Sequence, residues 1–335
     1  MRAKGIAYDT GFVQNGRASI DHLDPDSVRR DLRVIRDELH CTAVHLVGGD
    51  PARLELAAGI AAALGLEIWF SPYPLDLTTD ETLALFRDCA EQAERIRAAG
   101  AEVVFVAGVE LTLMIRGLVD GDGIGDRVGN LFADPRRRMP EARDRLDRFL
   151  RAAVPQVRER FRGKVTYAAI PFEAVDWELF DFVTLELIRS AEVAEQFPDA
   201  VRDLAAQPKP LAVTGFGCAT WRGAGDVAQR SMEIVEYDDG LPARLDGAYE
   251  RDEPGQARYL TEMLGIFDHA GADSTFVHLF ALHNFPHRPG GDPRDDLDLA
   301  SLGVVKVFDD GHWEPKAAFA AVAAAYEPST NSRLC

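Results

Sequence analysis

The stretch Val103-Val104-Phe105-Val106-Ala107-Gly108-Val109-Glu110 decides the fold class. It is apolar on successive positions rather than on alternate ones, which marks a β-strand covered on both faces, as in a parallel sheet. It then ends on a carboxylate and runs into Leu111-Thr112-Leu113. Outward from it, short apolar runs recur at Gly5 to Tyr8, Ala43 to Val47, Glu67 to Ser71, Val165 to Ile170, Phe182 to Leu187, Leu211 to Thr214 and Thr275 to Ala281. With Val103 to Val109 that makes eight.

Segments of helical period separate these runs. Val28, Leu32, Ile35 and Leu39 fall at helical spacing behind the start signal Asp24-Pro25. Thr78 with Glu81 forms a capping-box pattern ahead of Leu83, Phe86, Ala90 and Ala93. Further helices are expected over Pro51 to Leu64, Glu141 to Arg160, Ala191 to Ala206, Glu253 to Ala270 and Pro315 to Tyr326. The connection at Asp176 to Phe180 is abbreviated. Eight strands alternating with helices predict an α/β protein, a (β/α)₈ TIM barrel. Such barrels use about 250 residues as one unit, so the 335 residues, 47% of them hydrophobic, are expected to form a single domain over 1–335.

Three connections are long: Leu111 to Pro140, Phe216 to Asp252 and Leu282 to Pro315, after the fourth, seventh and eighth strands. Loops of that length are usually lids or binding loops, and in a barrel all three leave from the C-terminal face, where barrels place their chemistry.

The formal net charge of −18 argues against a polyanionic partner. No nucleic acid and no membrane surface is expected, which leaves a small-molecule substrate, with the oligomeric state open. Arg136-Arg137-Arg138 reads as a solvated loop. No segment approaches the ~18 apolar residues of a membrane span, and the N-terminus has no signal-peptide layout, so a cytoplasmic location is expected. Cys41, Cys89, Cys218 and Cys335 show neither CxxC spacing nor a disulfide framework, and Cys335 is expected to be an exposed thiol.

The polar residues on or just past the strands form a ring: Tyr8 and Asp9, His45, Ser71, Glu110, Glu173, Glu186, Cys218 and Trp221, His283 and His287. Any one of them could be there because a barrel mouth meets water. Together, carboxylates and histidines converging on one mouth point to general acid and base chemistry. Glu110 is the sharpest, because its apolar neighbours should raise its pKa by desolvation, as suits a general acid. The alternative is an ion pair with an arginine.

Aromatic residues near the expected mouth include Trp69, Phe70, Tyr73, Trp177, Trp221, Phe285 and Trp313, although Trp69 and Phe70 are adjacent on a strand and must point opposite ways. His45, His278, His283 and His287 come without HxH or HExxH spacing, so neither a metal nor another cofactor is expected. The glycine-rich Gly121 to Gly129 does not sit at a strand-to-helix junction and is not a phosphate loop. Asp295, Asp296 and Asp298 read as a solvated turn, and Cys218 as a buried inert thiol.

The segments GIAYDTGF, EIWFSPYPLDLT, EVVFVAGVELTL, VTYAAIPFEAVDW, LAVTGFGCATWRGAGD, DLDLASLGVVKV and WEPKAAF resemble bacterial proteins labelled abortive infection proteins, over Gly5 to Tyr326. More distantly, the glutamate ending strand four and Thr214-Gly215-Phe216-Gly217 in strand seven resemble the clan-A glycoside hydrolases. That resemblance implies that Glu110 is the acid/base. It also implies a nucleophilic glutamate at the position that Gly215 holds, which leaves the nucleophile position vacant. A retaining glycosidase needs two carboxyl groups about 5 to 5.5 Å apart, and Glu186 and Glu173 are the substitutes to consider.

Three functions follow as expectations. The first is a glycoside-hydrolase-like enzyme using Glu110 as general acid/base on a small glycosidic or polar substrate. The second is a non-hydrolytic cyclase, lyase or isomerase of small-molecule biosynthesis, for which an acid in an aromatic cavity suffices. The third is a non-catalytic carbohydrate-binding protein. Fold alone does not choose among them.

Overall fold

A computed structural model describes residues 1–14, 17–238 and 240–328. Cys335 lies outside them. Eight parallel strands form the barrel: β1 (Ala3–Asp9), β2 (Ala43–Gly48), β3 (Glu67–Pro72), β4 (Val103–Val109), β5 (Lys164–Ala168), β6 (Val183–Glu186), β7 (Leu211–Gly215) and β8 (Ser274–Val277). Their order is β5-β4-β3-β2-β1-β8-β7-β6. Contacts between Ala169 and Leu185 and between the hydroxyls of Thr166 and Thr184, 2.6 Å apart, nearly close the ring between β5 and β6. The described residues thus have the TIM-barrel fold expected from the apolar runs. The last strand is shorter than that expectation, ending at Val277 rather than Ala281.

Alternation along each strand divides the apolar residues into two layers. Trp69, Val104, Val106, Phe182, Ala212 and Phe276 fill the barrel. Ile6, Leu46, Phe70, Phe105, Val165 and Val213 face out to the helices. Gly5 is required on the inner layer, since a Cβ there would run into the Phe276 ring.

The helices are α1 (Pro25–Asp37), α2 (Pro51–Ala63), α3 (Thr79–Ala98), α4 (Leu111–Met114), α5 (Ile124–Ala133), α6 (Pro135–Arg160), α7 (Phe197–Ala205), α8 (Glu253–Ala270) and α9 (Ala317–Tyr326). Asp24 and Asp50 accept from backbone N–H groups at the starts of α1 and α2. The Thr78–Glu81 capping box opens α3 with bonds of 2.8 and 3.3 Å. Val28, Leu32, Ile35 and Leu39 are all buried. Between β5 and β6 there are only two short 3₁₀ turns, Pro171–Glu173 and Trp177–Leu179.

Three loop expectations are corrected. The connection Leu111 to Pro140 is mostly helical, because α4, α5 and the start of α6 occupy it. Arg136-Arg137-Arg138 is accordingly helix, although solvated. The glycine-rich stretch hides α5, which Asp126 caps by accepting from the Gly123 N–H. The fully buried Arg127 anchors α5 by pairing with Asp76 and donating to the carbonyls of Leu113, Met114, Gly121 and Asp122.

The third correction concerns the acidic turn. Asp298 is buried between Arg251, at 2.7 Å, and Lys316, at 2.9 Å. Asp296 pairs with Arg251 at 2.9 Å, and only Asp295 is exposed. These charges tie the end of the β7 loop to the β8 loop and to the start of α9. A chain segment with several aspartates reads as solvated until its cations, distant in sequence, are brought to it.

Candidate active site

Glu110 follows β4 at the C-terminal mouth, with φ 46° and ψ 42°. That left-handed conformation costs a residue with a Cβ about 1–3 kcal/mol, so the surroundings must enforce it. They do so through an adjoining network. The Glu110 N–H donates to the Ala168 carbonyl at 2.9 Å, and the Leu111 N–H donates to the Tyr167 hydroxyl at 2.8 Å. Tyr167 in turn donates to Glu173 at 2.8 Å, which also accepts from the N–H and hydroxyl of Thr112 and from the Ile170 N–H. Gly108 supplies the other half of the device. At φ +95° it lies where the β4–β5 register shifts between Val106 and Val109, and this bulge re-aims the strand end.

Glu186 ends β6, and its carboxyl lies within hydrogen-bonding reach of the Glu110 carboxyl. Both keep some open surface although they lie deep below the protein exterior. Burial, the negative charge of its partner and that of Glu173 hold Glu110 well above the ordinary carboxylate range, and burial also raises Glu186. Two carboxyls in contact cannot both ionise easily, so the pair holds a proton.

The space beside Gly215 is not empty. A Cβ on Gly215 would lie 2.5 Å from Glu186 Oε2 and 2.6 Å from its Cδ. The Glu186 carboxylate therefore fills the volume that a side chain at position 215 would need. A register shift between Leu185 and Glu186 sets Glu186 directly opposite Gly215.

Glu173 is differently occupied. It is buried, and its bonds go to Thr112 just after Glu110, to Tyr167 in β5 and to Ile170 just after β5. Burial pushes its carboxyl up to about 7 against the pull of those donors. The geometry makes it a support for the Glu110 backbone rather than a group aimed at a substrate.

The remaining sequence-derived residues divide. Asp9 lies buried at the end of β1, accepting from the Gly11 N–H at 2.7 Å and the Ser19 hydroxyl at 3.3 Å, and burial raises it to about 7. His45 points into the barrel against Phe276, and the buried hydroxyls of Ser71 and Thr214 there have no hydrogen-bond partner among the described residues. Burial lowers His45 to about 3 and its neighbour His278 to about 4, so both imidazoles are neutral.

The others lie apart from the pair. Tyr8 points the other way, its hydroxyl donating to Asp31 of α1 at 3.1 Å. Trp221 packs on Tyr249 and donates to the Ser231 carbonyl at 2.9 Å. His283 sits near Asp31, and His287 pairs with Asp296 at 2.9 Å in a separate hollow. Cys218 is buried, its thiol raised by burial to about 12.

Next to the pair, with Tyr73 between them, lies a cavity of about 520 Å³, walled by the loops after β1, β3, β4, β7 and β8. Tyr73 connects the two: it lines the cavity, and the charges of both Glu110 and Glu186 act on its hydroxyl. His278 and Asn284 also line it. The site residues above did not include these three, although Tyr73 stands among the aromatics and His278 among the histidines named from sequence. Among the described residues no group of three or more His, Cys, Asp or Glu is placed to hold a metal.

No family model matches the sequence, and no curated protein is similar to it. Solved structures are. A GH113 beta-1,4-mannanase superposes with a TM-score of 0.60 at 15% identity, over 97% of this chain and 98% of that one. What this chain shares with it is the TIM-barrel fold. A Parabacteroides merdae beta-glucuronidase matches this glycoside-hydrolase-type barrel with a TM-score of 0.60 at 10% identity, over 98% of this chain and 37% of that one. Saccharomyces cerevisiae Gas2p does so with a TM-score of 0.52 at 12% identity, over 97% and 63%. No helix among the described residues is long and apolar enough to cross a membrane.

Proposed function

We propose that this chain is an acid/base enzyme on a glycoside-hydrolase-type barrel, with Glu110 as the proton donor and Glu186 as the proton acceptor. The observation that supports it is the proton-sharing contact of these two carboxyls at the mouth, next to a cavity. A buried carboxyl pair that must hold a proton is costly to fold, and such perturbed groups cluster at functional sites, which speaks against a barrel that only binds carbohydrate. In hydrolysis, Glu110 gives its proton to the leaving oxygen while Glu186 takes one from the attacking water. Glu186 then stands in for the missing side chain at Gly215.

A second reading has its own support. Carboxyls in hydrogen-bond contact are closer than the about 5 to 5.5 Å of a retaining glycosidase or the about 6.5 to 9.5 Å of an inverting one. The same dyad suits a lyase, cyclase or isomerase, in which Glu186 removes a proton at one atom and Glu110 delivers one at another.

A panel of aryl glycosides separates the two readings. Hydrolysis that falls by about 10²-fold or more in both Glu110→Gln and Glu186→Gln, with the melting temperature unchanged, fits the first. Hydrolysis undiminished in Glu110→Gln would end the assignment. No cleavage of any sugar in the panel would leave the non-hydrolytic reading.

A further inference from the structure

The cavity next to the carboxyl pair has a composition that a sugar site does not need. Its wall is built mainly from Phe12, Leu75, Met114, Leu279, Leu282 and Phe285. Among the described residues that line it there is no Lys, Arg, Asp or Glu, and burial keeps His278 neutral. A negative charge on a ligand would therefore be desolvated there with no cation among those residues to pair with, at a cost of several kcal/mol in free energy.

Two further observations point to an occupant. The buried Oδ1 of Asn284, a residue that lines the cavity, accepts no hydrogen bond from any described residue. A buried amide oxygen left alone is destabilising by about 1–3 kcal/mol, so a donor on the occupant is the natural complement. At the rim, Tyr237 and Leu241, on the antiparallel strands Val235–Asp238 and Leu241–Leu245 of the β7 loop, are 56% and 45% exposed while also lining the cavity. Large apolar side chains grouped at an opening mark a binding site for apolar surface. A volume of about 520 Å³ is that of a small-molecule pocket.

We infer that the ligand of this cavity is a compact, largely apolar molecule without a negative charge that carries a hydrogen-bond donor for Asn284, and not an extended oligosaccharide. This rests on the proposed acid/base site, because it names the substrate class that would lie next to Glu110 and Glu186. Tyr73 is the wall residue that a bound molecule and the carboxyl pair have in common.

The test uses N-phenylnaphthylamine, an uncharged probe with one N–H group that brightens in apolar surroundings, titrated into the whole protein. Saturable binding is expected, at least ~10-fold tighter than that of its anionic analogue, anilinonaphthalene sulfonate, since even ~1.4 kcal/mol of uncompensated desolvation is tenfold. Asn284→Ala should weaken it by about 2- to 10-fold, the range of one net hydrogen bond. Leu282→Asp should abolish it. Because a buried charge can unfold a protein, Met114→Trp, which fills the space with apolar atoms, should abolish it too. Equal binding of the sulfonate, displacement of the probe by a mannan oligosaccharide, or undiminished binding in Met114→Trp would overturn the inference. Glu110→Gln should keep the probe within about twofold, so loss of activity with retained binding separates the chemistry from the ligand class.

Discussion

Gly215→Ala tests the packing on which the site depends. The new Cβ would meet Glu186 Oε2 at 2.5 Å, Cδ at 2.6 Å and Oε1 at 2.8 Å, where real Cβ contacts essentially never fall below 3.0 Å. To reach ordinary contact, the carboxylate must retreat by about 1 Å. It is the end of a flexible side chain, so the backbone can stay, but the retreat must change its contact with Glu110. Overpacking of this kind destabilises by about 1–3 kcal/mol. In a Glu186→Ala background the same methyl meets no carboxylate, and its effect should shrink to a few tenths, or become stabilising by about 0.4–1 kcal/mol as an ordinary Gly→Ala change. Urea denaturation of the four proteins at one pH gives the coupling energy, expected at about 1–3 kcal/mol with unchanged m-values. If Gly215→Ala costs the same with and without Glu186, the carboxylate does not occupy that volume. By the same geometry, Gly215→Glu would add a carboxylate where one already sits, so it should not create glycosidase activity by itself.

Arg127→Met removes a fully buried cation that ties α5 to the β3 loop, and should destabilise by about 3–5 kcal/mol in denaturation and speed proteolysis between α4 and α5; unchanged stability would refute the role given to that pair. Burial holds Asp9 up to about 7, so the folded state prefers it protonated. Its contribution is present below the ordinary carboxylate range and is lost as pH rises through about 7, so the unfolding free energy should fall across about pH 4 to 7 by at most ~4 kcal/mol from this group, and the melting temperature with it. Asp9→Asn should flatten that slope, leaving the part due to Glu173 and the carboxyl pair; an unaltered slope would show that Asp9 is ionised in the fold.

The barrel was readable because its strands are covered on both faces and its helices carry their own start signals. The apolar runs locate all eight strands, and Asp24-Pro25 and Thr78 with Glu81 mark real helix starts. Where a local signal misled, its partner was distant. Asp298 is solvated by sequence and buried by Arg251 and Lys316, while α5 is masked by glycines and held by Arg127. Membership of the site followed partly from parity. If Asp9 faces into β1, then Tyr8 must face out, and its bond to Asp31 shows that it does.

What sequence spacing does not contain is register. Glu110 and Glu186 meet because one bulge at Gly108 turns the end of β4, and a second shift sets Glu186 opposite Gly215. A one-residue slip at either place would send a carboxylate to the helix side of the sheet. The glycine that reads as a deletion of chemistry is, in three dimensions, the clearance that lets a carboxylate from the neighbouring strand stand in its place. It follows that Gly215 and Glu186 are one feature and should change together: any side chain at 215 selects against Glu186, and a smaller residue at 186 releases the constraint on 215.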